Sequence, residues 1–411
     1  MSRKFTVIIP TRERPDTFEW ALRTCVSQPY ENLRIIVSDN FSQDRTRDIV
    51  SSLQDPRVKY INPGQRISMS DNWEFALKHV EDGYLMYLGD DDGLLPNIFD
   101  QINDIFSEYD LPVLTWKYNT YYWPNFALPS YRNKVTISFD HGVEIRNSKE
   151  ALKKVLSFQS HWDTLPFLYN FGIVDVRLLK IGKSGRFFNS RIPDVYSSIV
   201  LSHLSEKYIH SRKPFSIGGI SAHSTGSSQS GISDTDPNKS PNPATIFANE
   251  ANLPFHPKLV YTHTAAVLIA ESYYQAKDAY ADFDYTLSIQ DVISKSLKEA
   301  SVLGQERYIN TVDSIRAIAD IHGLSDFVEQ KIKELPNRPK KVDKPVVFGF
   351  HITGTGAILN GAEFSVTNVY DAALLATISG QIKKKAYLSL RNQFVNAILT
   401  VRKRLLVKLK Y

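Results

Sequence analysis

Residues 5–10 (FTVIIP) form a short unbroken apolar run, and the pattern they begin restricts the possible folds more than any other feature of the chain. A strand with one wet face alternates apolar and polar side chains, whereas an unbroken run marks a strand covered on both faces, as in a parallel sheet. Thr11-Arg12-Glu13-Arg14-Pro15 interrupts the run, and a helical pattern covers residues 16–27. A second buried strand, 34–38, ends in Asp39-Asn40 and is followed by helix-favouring residues 44–53. A strand over 58–61 closes in Asn62-Pro63-Gly64, and a helix over 70–79 has Ser70 as its N-cap. Tyr84 to Leu88 is the fourth strand, Pro96 opens another helix, and 113–117 is a further strand. Strands alternating with helices predict a doubly wound α/β fold with a Rossmann-like sheet.

The rest of the chain is less regular. Residues 118–140, rich in aromatics, Pro and Asn, read as a long ordered loop or a β-hairpin. Residues 149–158 and 195–204 read as helices, and 214–220 as a strand leading to His223. Ser, Gly, Asn, Asp and Pro dominate 224–243, a flexible loop or linker. Helical patterns cover 260–280, 287–300 and 306–335, and 346–379 reads as short strands or irregular chain. The expected organisation is therefore an α/β domain over 1–230, a linker over 231–250 and a helical region over 251–337. A mixed irregular or short-strand region over 338–380 and a basic amphipathic helix over 381–411 complete it.

At 411 residues the chain has room for two or three domains and a sizeable core. Its single cysteine, Cys25, excludes an internal disulfide, suits a reducing compartment, and reads as buried filler. No signal segment opens the sequence and no apolar stretch is long enough to span a bilayer, so a cytoplasmic location is expected. The formal charge of +5 is uneven. Residues 381–411 carry nine Lys or Arg and no acid, leaving 40 bases against 44 acids elsewhere. The basic character belongs to the tail, so nucleic acid is not an expected partner. In that tail Tyr387, Leu390, Phe394, Ile398, Val401, Leu405 and Leu409 form one helical stripe. Such a helix suits an anionic membrane surface, giving a peripheral protein on the inner face of the plasma membrane; docking on its own domain or on a second copy is the alternative.

Asp90-Asp91-Asp92 follows the fourth strand directly. Three consecutive carboxylates repel one another unless a cation lies between them, and a hard ion such as Mg²⁺ or Mn²⁺ prefers oxygen ligands. Alone, the run reads as a solvated turn capping the next helix. However, Pro10-Thr11 and Asp39-Asn40 also fall at the carboxyl ends of strands, where open α/β sheets bind ligands.

The segments FTVIIPTRERP, RIIVSDNFSQDRT, MSDNWEFAL and YLMYLGDDDGLLP, in this order and spacing, resemble the family 2 glycosyltransferases of the GT-A fold. The resemblance is specific over about residues 5–102, weaker to about 228, and absent from the last 160 or so. It implies an inverting, metal-dependent transfer from a nucleotide sugar, with UDP-sugars favoured over GDP- or dTDP-sugars. It places Pro10, Thr11 and Glu13 near the nucleoside, Asp39 on the base, Asn72 along the donor site, and Asp90 on ribose or metal. Asp91 or Asp92 would ligate Mn²⁺ or Mg²⁺. This chain reads Gly-Asp-Asp-Asp where many relatives have Asp first, which leaves the assignment within the triplet open by one residue.

An inverting transfer also needs a carboxylate base for the acceptor hydroxyl. Asp194, behind Pro193 at the start of a helical pattern, fits the place the family gives this base; a plain helix cap is the competing reading, and Asp163 is the reserve. The resemblance makes His223 a further metal ligand, with Ser227 and Ser228 as phosphate contacts. Trp116, Tyr118, Tyr121, Tyr122 and Trp123 could stack on an acceptor sugar or simply pack a core. The expected function is thus glycosyl transfer to a glycan or lipid-linked acceptor in surface polysaccharide synthesis, with a homo-oligomer possible. Two rivals stand beside it: a non-catalytic donor-binding or scaffold subunit, and a nucleotidyltransferase. The glycine-free loop 11–15 argues against the latter.

Overall fold

The structure, a computed structural model, describes residues 2–179, 183–224, 253–335, 351–352 and 355–381. The first half runs β1 (Phe5–Thr11), α1 (Pro15–Val26), β2 (Leu33–Asp39), α2 (Thr46–Leu53), β3 (Val58–Ile61), α3 (Met69–Leu77) and β4 (Tyr84–Tyr87). It continues through β5 (Gly93–Leu94), α4 (Ile98–Tyr109), β6 (Val113–Trp116), β7 (Asn119–Tyr122), β8 (Lys134–Ser138), β9 (Val143–Asn147) and α5 (Ser148–Leu156). Then come β10 (Gly172–Asp175), α6 (Pro193–Leu204), β11 (Lys207–Ser211) and β12 (Ser216–Ile220). Beyond residue 253 lie α7 (Ala265–Ala279), α8 (Ile289–Ala300), α9 (Gln305–Ile321), α10 (Ser325–Glu334), β13 (His351–Ile352), β14 (Gly356–Asn360) and α11 (Val369–Gln381).

Eight strands form the main sheet in the order β3-β2-β1-β4-β10-β6-β11-β9. β1 to β4 are mutually parallel, as the expected doubly wound arrangement requires, and β10 inserts antiparallel between β4 and β6. The unbroken run of β1 is explained by its two faces. Phe5, Val7 and Ile9 pack toward Phe18 and Leu22 of α1 and Phe99 of α4, while Ile8 packs toward Trp73 of α3 and Ile199 of α6. Both sides of the sheet are thus dry, and no polar alternation survives.

A second sheet has the order β13-β14-β8-β7-β12-β5. The stretch 118–140 is its antiparallel pair β7 and β8. Helices α7 to α10 make the mainly helical region, with α7 against α6 and a small separate core among α8, α9 and α10.

The structure corrects the sequence reading at four places. Helix α3 is capped by Ser68, whose hydroxyl accepts from the Asp71 N–H, and Ser70 lies inside the helix. The single helix expected over 306–335 is two, parted at 322–324, where Gly323 takes φ 65°. Strands β10, of four residues, and β11, of five, are absent from the sequence reading. Residues 369–380, expected to be short strands or irregular chain, lie in helix α11. It packs on α1, β5 and β8, so Val369, Ala372, Ala373, Leu375, Ala376 and Ile378 are all buried. A helix covered on most sides shows no apolar stripe. The linker reading for 231–250 and the basic amphipathic reading for 381–411 lie outside the described residues, Gln381 excepted.

Candidate active site

A cavity of about 1040 Å³ opens beyond the carboxyl ends of β1, β2 and β4. Pro10, Thr11, Glu13, Arg14 and Asn40 line it from the first two strand ends, and Asp90, Asp91 and Asp92 from the third. Thr11 and Asp39 are direct register partners, and the Asn40 N–H donates to the Thr11 carbonyl at 2.9 Å, so adjacent strand ends carry adjacent polar groups.

The triplet is buried and held by different partners. Asp90 accepts from the Thr11 hydroxyl at 2.8 Å and from Arg14 Nη1 at 3.1 Å, one on each oxygen. Asp91 Oδ2 accepts from the Ser221 hydroxyl at 2.7 Å and the Ser221 N–H at 3.3 Å, while its Oδ1 accepts no hydrogen bond among the described residues. Asp92 accepts from the Gly219 N–H at 2.7 Å and from the Tyr169 hydroxyl at 3.2 Å. Burial and the Asp90 charge push the Asp91 carboxyl up to about 6, against the pull of Arg14 and Ser221. Burial and the Asp91 charge raise Asp92 well above the carboxylate range. Burial opposes the Arg14 charge, but Asp90 and Asp91 outweigh it and raise its pKa. These shifts mark a site with more buried negative charge than its own groups neutralise, which fits a hard divalent cation. Among the described residues no three His, Cys, Asp or Glu side chains converge as a metal-binding group.

Two glycines let the triplet sit this close. A Cβ on Gly89 would run into the Asp92 carboxylate and the Tyr169 hydroxyl, and one on Gly219 into the Asp91 carbonyl and Trp123.

The other expected donor residues divide. Glu13, at φ 52°, turns the chain from β1 into α1; its N–H donates to the Ser42 hydroxyl at 2.8 Å and its carboxylate pairs with Arg66 at 2.7 Å. Asp39 lies just behind the cavity lining, accepting from the Ser42 N–H at 3.0 Å and the Tyr60 hydroxyl at 2.6 Å, and its neighbour Asn40 reaches the cavity instead. Asn72 lines the cavity and braces α3 on β2, accepting from the Ser38 hydroxyl at 2.8 Å and donating to the Ser38 carbonyl at 3.2 Å.

Asp194 stands in the first turn of α6, half-buried on the wall of the same cavity. Burial raises its pKa, while the backbone N–H groups of Val195 and Asp194 itself pull it down. Ile192 is the N-cap of this helix and no side chain caps it, so Asp194 stands in the first turn facing the cavity without serving as the cap. Asp163 instead pairs with His161 at 2.9 Å, and His161 reaches the lining. His223 lies exposed on the rim. Of the aromatic run only Tyr118 lines the cavity, stacked on Phe171 at 4.5 Å, whereas Trp116, Tyr121 and Trp123 are core. Ser227 and Ser228 lie outside the described residues.

Residues 6–150 match the family model described as glycosyl transferase family 2. Over that segment, about a third of its length, the chain is similar to the family 2 glycosyltransferases. Over 95 residues it is 36% identical to the GalNAc(5)-diNAcBac-PP-undecaprenol beta-1,3-glucosyltransferase of Campylobacter jejuni, a match covering 22% of this chain and 31% of that protein. Over 87 residues it is 30% identical to the UDP-Glc:alpha-D-GlcNAc-diphosphoundecaprenol beta-1,3-glucosyltransferase WfaP of Escherichia coli, covering 21% and 35%. The matched part thus spans about a third of each curated relative. Residues 1–349 of S. aureus TarS, solved with UDP-GlcNAc, are 16% identical, with 83% of this chain and 95% of that one covered at a TM-score of 0.42.

Three features of the site escaped the sequence reading. Arg14 was read only as part of a strand-breaking turn, yet it reaches Asp90. Tyr169 lies among the charges of Asp92, Asp91, Asp194 and Asp90, and these together with burial raise its pKa well above the usual range. The helical region supplies a wall through Leu253, His263, Ala265, Leu268 and Ile269. No spacing motif links these residues to the triplet, because folding alone brings them there.

Proposed function

We propose that the chain transfers a sugar from a nucleotide-sugar donor, a UDP-sugar first, to a hydroxyl of a lipid-linked or glycan acceptor, with inversion at the anomeric carbon. One observation carries this reading: a single cavity brings the acidic triplet at the sheet's carboxyl edge together with a separate carboxylate, Asp194. The relatives support the choice of substrates, since both are named for undecaprenol-linked diphosphates and one for UDP-Glc.

Thr11, Arg14 and Asn40 hold the nucleoside side, with Asp90 oriented by Thr11 and Arg14 toward the ribose. Asp91, through its unengaged Oδ1, is the proposed ligand of Mn²⁺ or Mg²⁺. Asp92 would join it on giving up the Tyr169 hydrogen bond, and His223 from the rim. When bound, such a cation offsets charge on the diphosphate. Asp194 takes the proton of the acceptor hydroxyl, whose oxygen forms the new bond to the anomeric carbon. The bond from that carbon to the diphosphate oxygen breaks, and its electron pair leaves with the nucleoside diphosphate. Partial burial keeps Asp194 basic enough for this step.

Turnover of a panel of nucleotide sugars with Mn²⁺ tests the reading. Asp194→Asn is expected to lower kcat by about 10²-fold or more, the scale of lost general-base catalysis. Asp91→Asn is expected to weaken Mn²⁺ binding in a titration as well as turnover. Wild-type rates in both variants would sink the assignment, and UDP binding without turnover of any donor would favour a scaffold role. For the tail, we propose peripheral attachment through its nine basic residues. Full-length protein should sediment with anionic liposomes, and a chain ending at residue 381 should not.

A further inference from the structure

The segment leading into Asp194 is gripped from two sides, and one grip comes from the helical region. On the α3 side, Glu74 accepts the N–H groups of Phe187 and Phe188, both at 3.0 Å, and Asp71 pairs with Arg186 at 2.7 Å. Ser70 of the same helix donates to the Ser190 carbonyl at 2.6 Å. On the other side stands Glu271 of α7, fully buried. Its Oε2 accepts the Ser190 hydroxyl, and its Oε1 accepts from Gln275 Nε2 at 3.1 Å. The Ser190 oxygen accepts in turn from the Ile192 N–H at 3.1 Å, two residues before Asp194.

The burial of Glu271 needs a reason. A carboxylate inside a protein costs several kcal/mol unless it is hydrogen-bonded, and a neutral side chain would pack α7 on α6 at lower cost. Burial pushes its carboxyl up to about 7, although Ser190 and Gln275 favour the charged form. Its main product is the orientation of Ser190, and Ser190 bonds at once to α3 through its carbonyl and to the 190–192 turn through its hydroxyl.

We propose that Glu271 is a positioning residue for Asp194: through Ser190 it sets the entry of α6, so that the helical region aims the base while α3 and the triplet hold the donor. This rests on the reading of Asp194 as base. Glu271 itself does not line the cavity.

The test compares Glu271→Gln, Ser190→Ala and the double variant with Asp194→Asn in the full chain. Its readouts are UDP affinity by calorimetry, kcat and donor KM with the best donor of the panel, and the thermal midpoint. Glu271→Gln and Ser190→Ala should each lower kcat at least about tenfold, the scale of a misplaced catalytic group. Donor KM and UDP affinity should stay within about twofold, and the double variant should be no worse than the weaker single one, as expected for one network. Folded variants with unchanged kcat, or with raised donor KM at constant kcat, would overturn the proposal. If Glu271→Gln fails to fold, Ser190→Ala decides alone, since it removes one hydroxyl. If Asp194→Asn keeps wild-type turnover, the base reading falls and the proposal falls with it. If Asp194→Asn is inactive while the other two are unaffected, only the proposal falls.

Discussion

At the scale of single residues, the site is a problem of unbalanced buried charge. Asp90 has a guanidinium, whereas Asp91 and Asp92 are held by neutral donors only, Ser221, Gly219 and Tyr169. Each neutral donor therefore bears on how tightly the triplet is defined. Tyr169→Phe removes the hydroxyl from Asp92 Oδ2 and leaves that oxygen buried without its donor. Denaturant unfolding should show a loss of about 1–3 kcal/mol, the cost of an unsatisfied buried polar group. An unchanged midpoint would mean that water replaces the hydroxyl. Cys25 illustrates the opposite case: burial pushes its thiol up to about 12, and it behaves as an apolar filler between α1 and the sheet.

At the scale of elements, the second sheet closes the cavity from one side. β12 runs past the triplet, and its Gly219 N–H reaches Asp92 because no side chain keeps the two backbones apart. Gly219→Ala would drive a methyl into the Asp91 carbonyl and the Trp123 ring. Overpacking of this kind costs about 1–3 kcal/mol and shifts backbone. The expected outcome is a lower thermal midpoint together with weaker Mn²⁺ binding. A midpoint loss with normal Mn²⁺ affinity would show that β12 matters for packing alone. Helix α6 is the matching element on the other wall, with Pro193 and Asp194 in its first turn and Ile192 as its N-cap.

At the scale of the whole molecule, the chain after residue 335 returns to the core it left. Leu359, Phe364, Val366, Val369, Leu375 and Ile378 are all buried in the same cluster as β1 and α1. Each such side chain contributes roughly 1.5–3 kcal/mol by burial. Together they are comparable to the roughly 5–15 kcal/mol that stabilises a typical domain. A chain ending at residue 335 should therefore be insoluble or unfolded, whereas one ending at residue 381 should keep its thermal midpoint. Solubility and a cooperative transition in the shorter chain would contradict this.

Much of the cavity wall at the strand ends was legible in the sequence because it is local. The apolar runs of β1, β2 and β4 have the signature of strands buried on two faces, and Thr11, Asp39 and Asp90 follow from where those runs stop. Helix α6 and its Asp194 followed from Pro193 and the pattern behind it. What only the tertiary structure decided is non-local. Tyr169 meets Asp92 across 77 positions, Ser221 meets Asp91 across 130, and Glu271 meets Ser190 across 81. A hydrogen bond leaves no periodicity in a sequence, and a helix buried on most sides, such as α11, leaves no stripe. The sequence alone therefore determined that the chain has a sheet with an acidic edge. Packing decided which oxygen of the triplet stays unengaged, and that α7 holds the turn leading into Asp194.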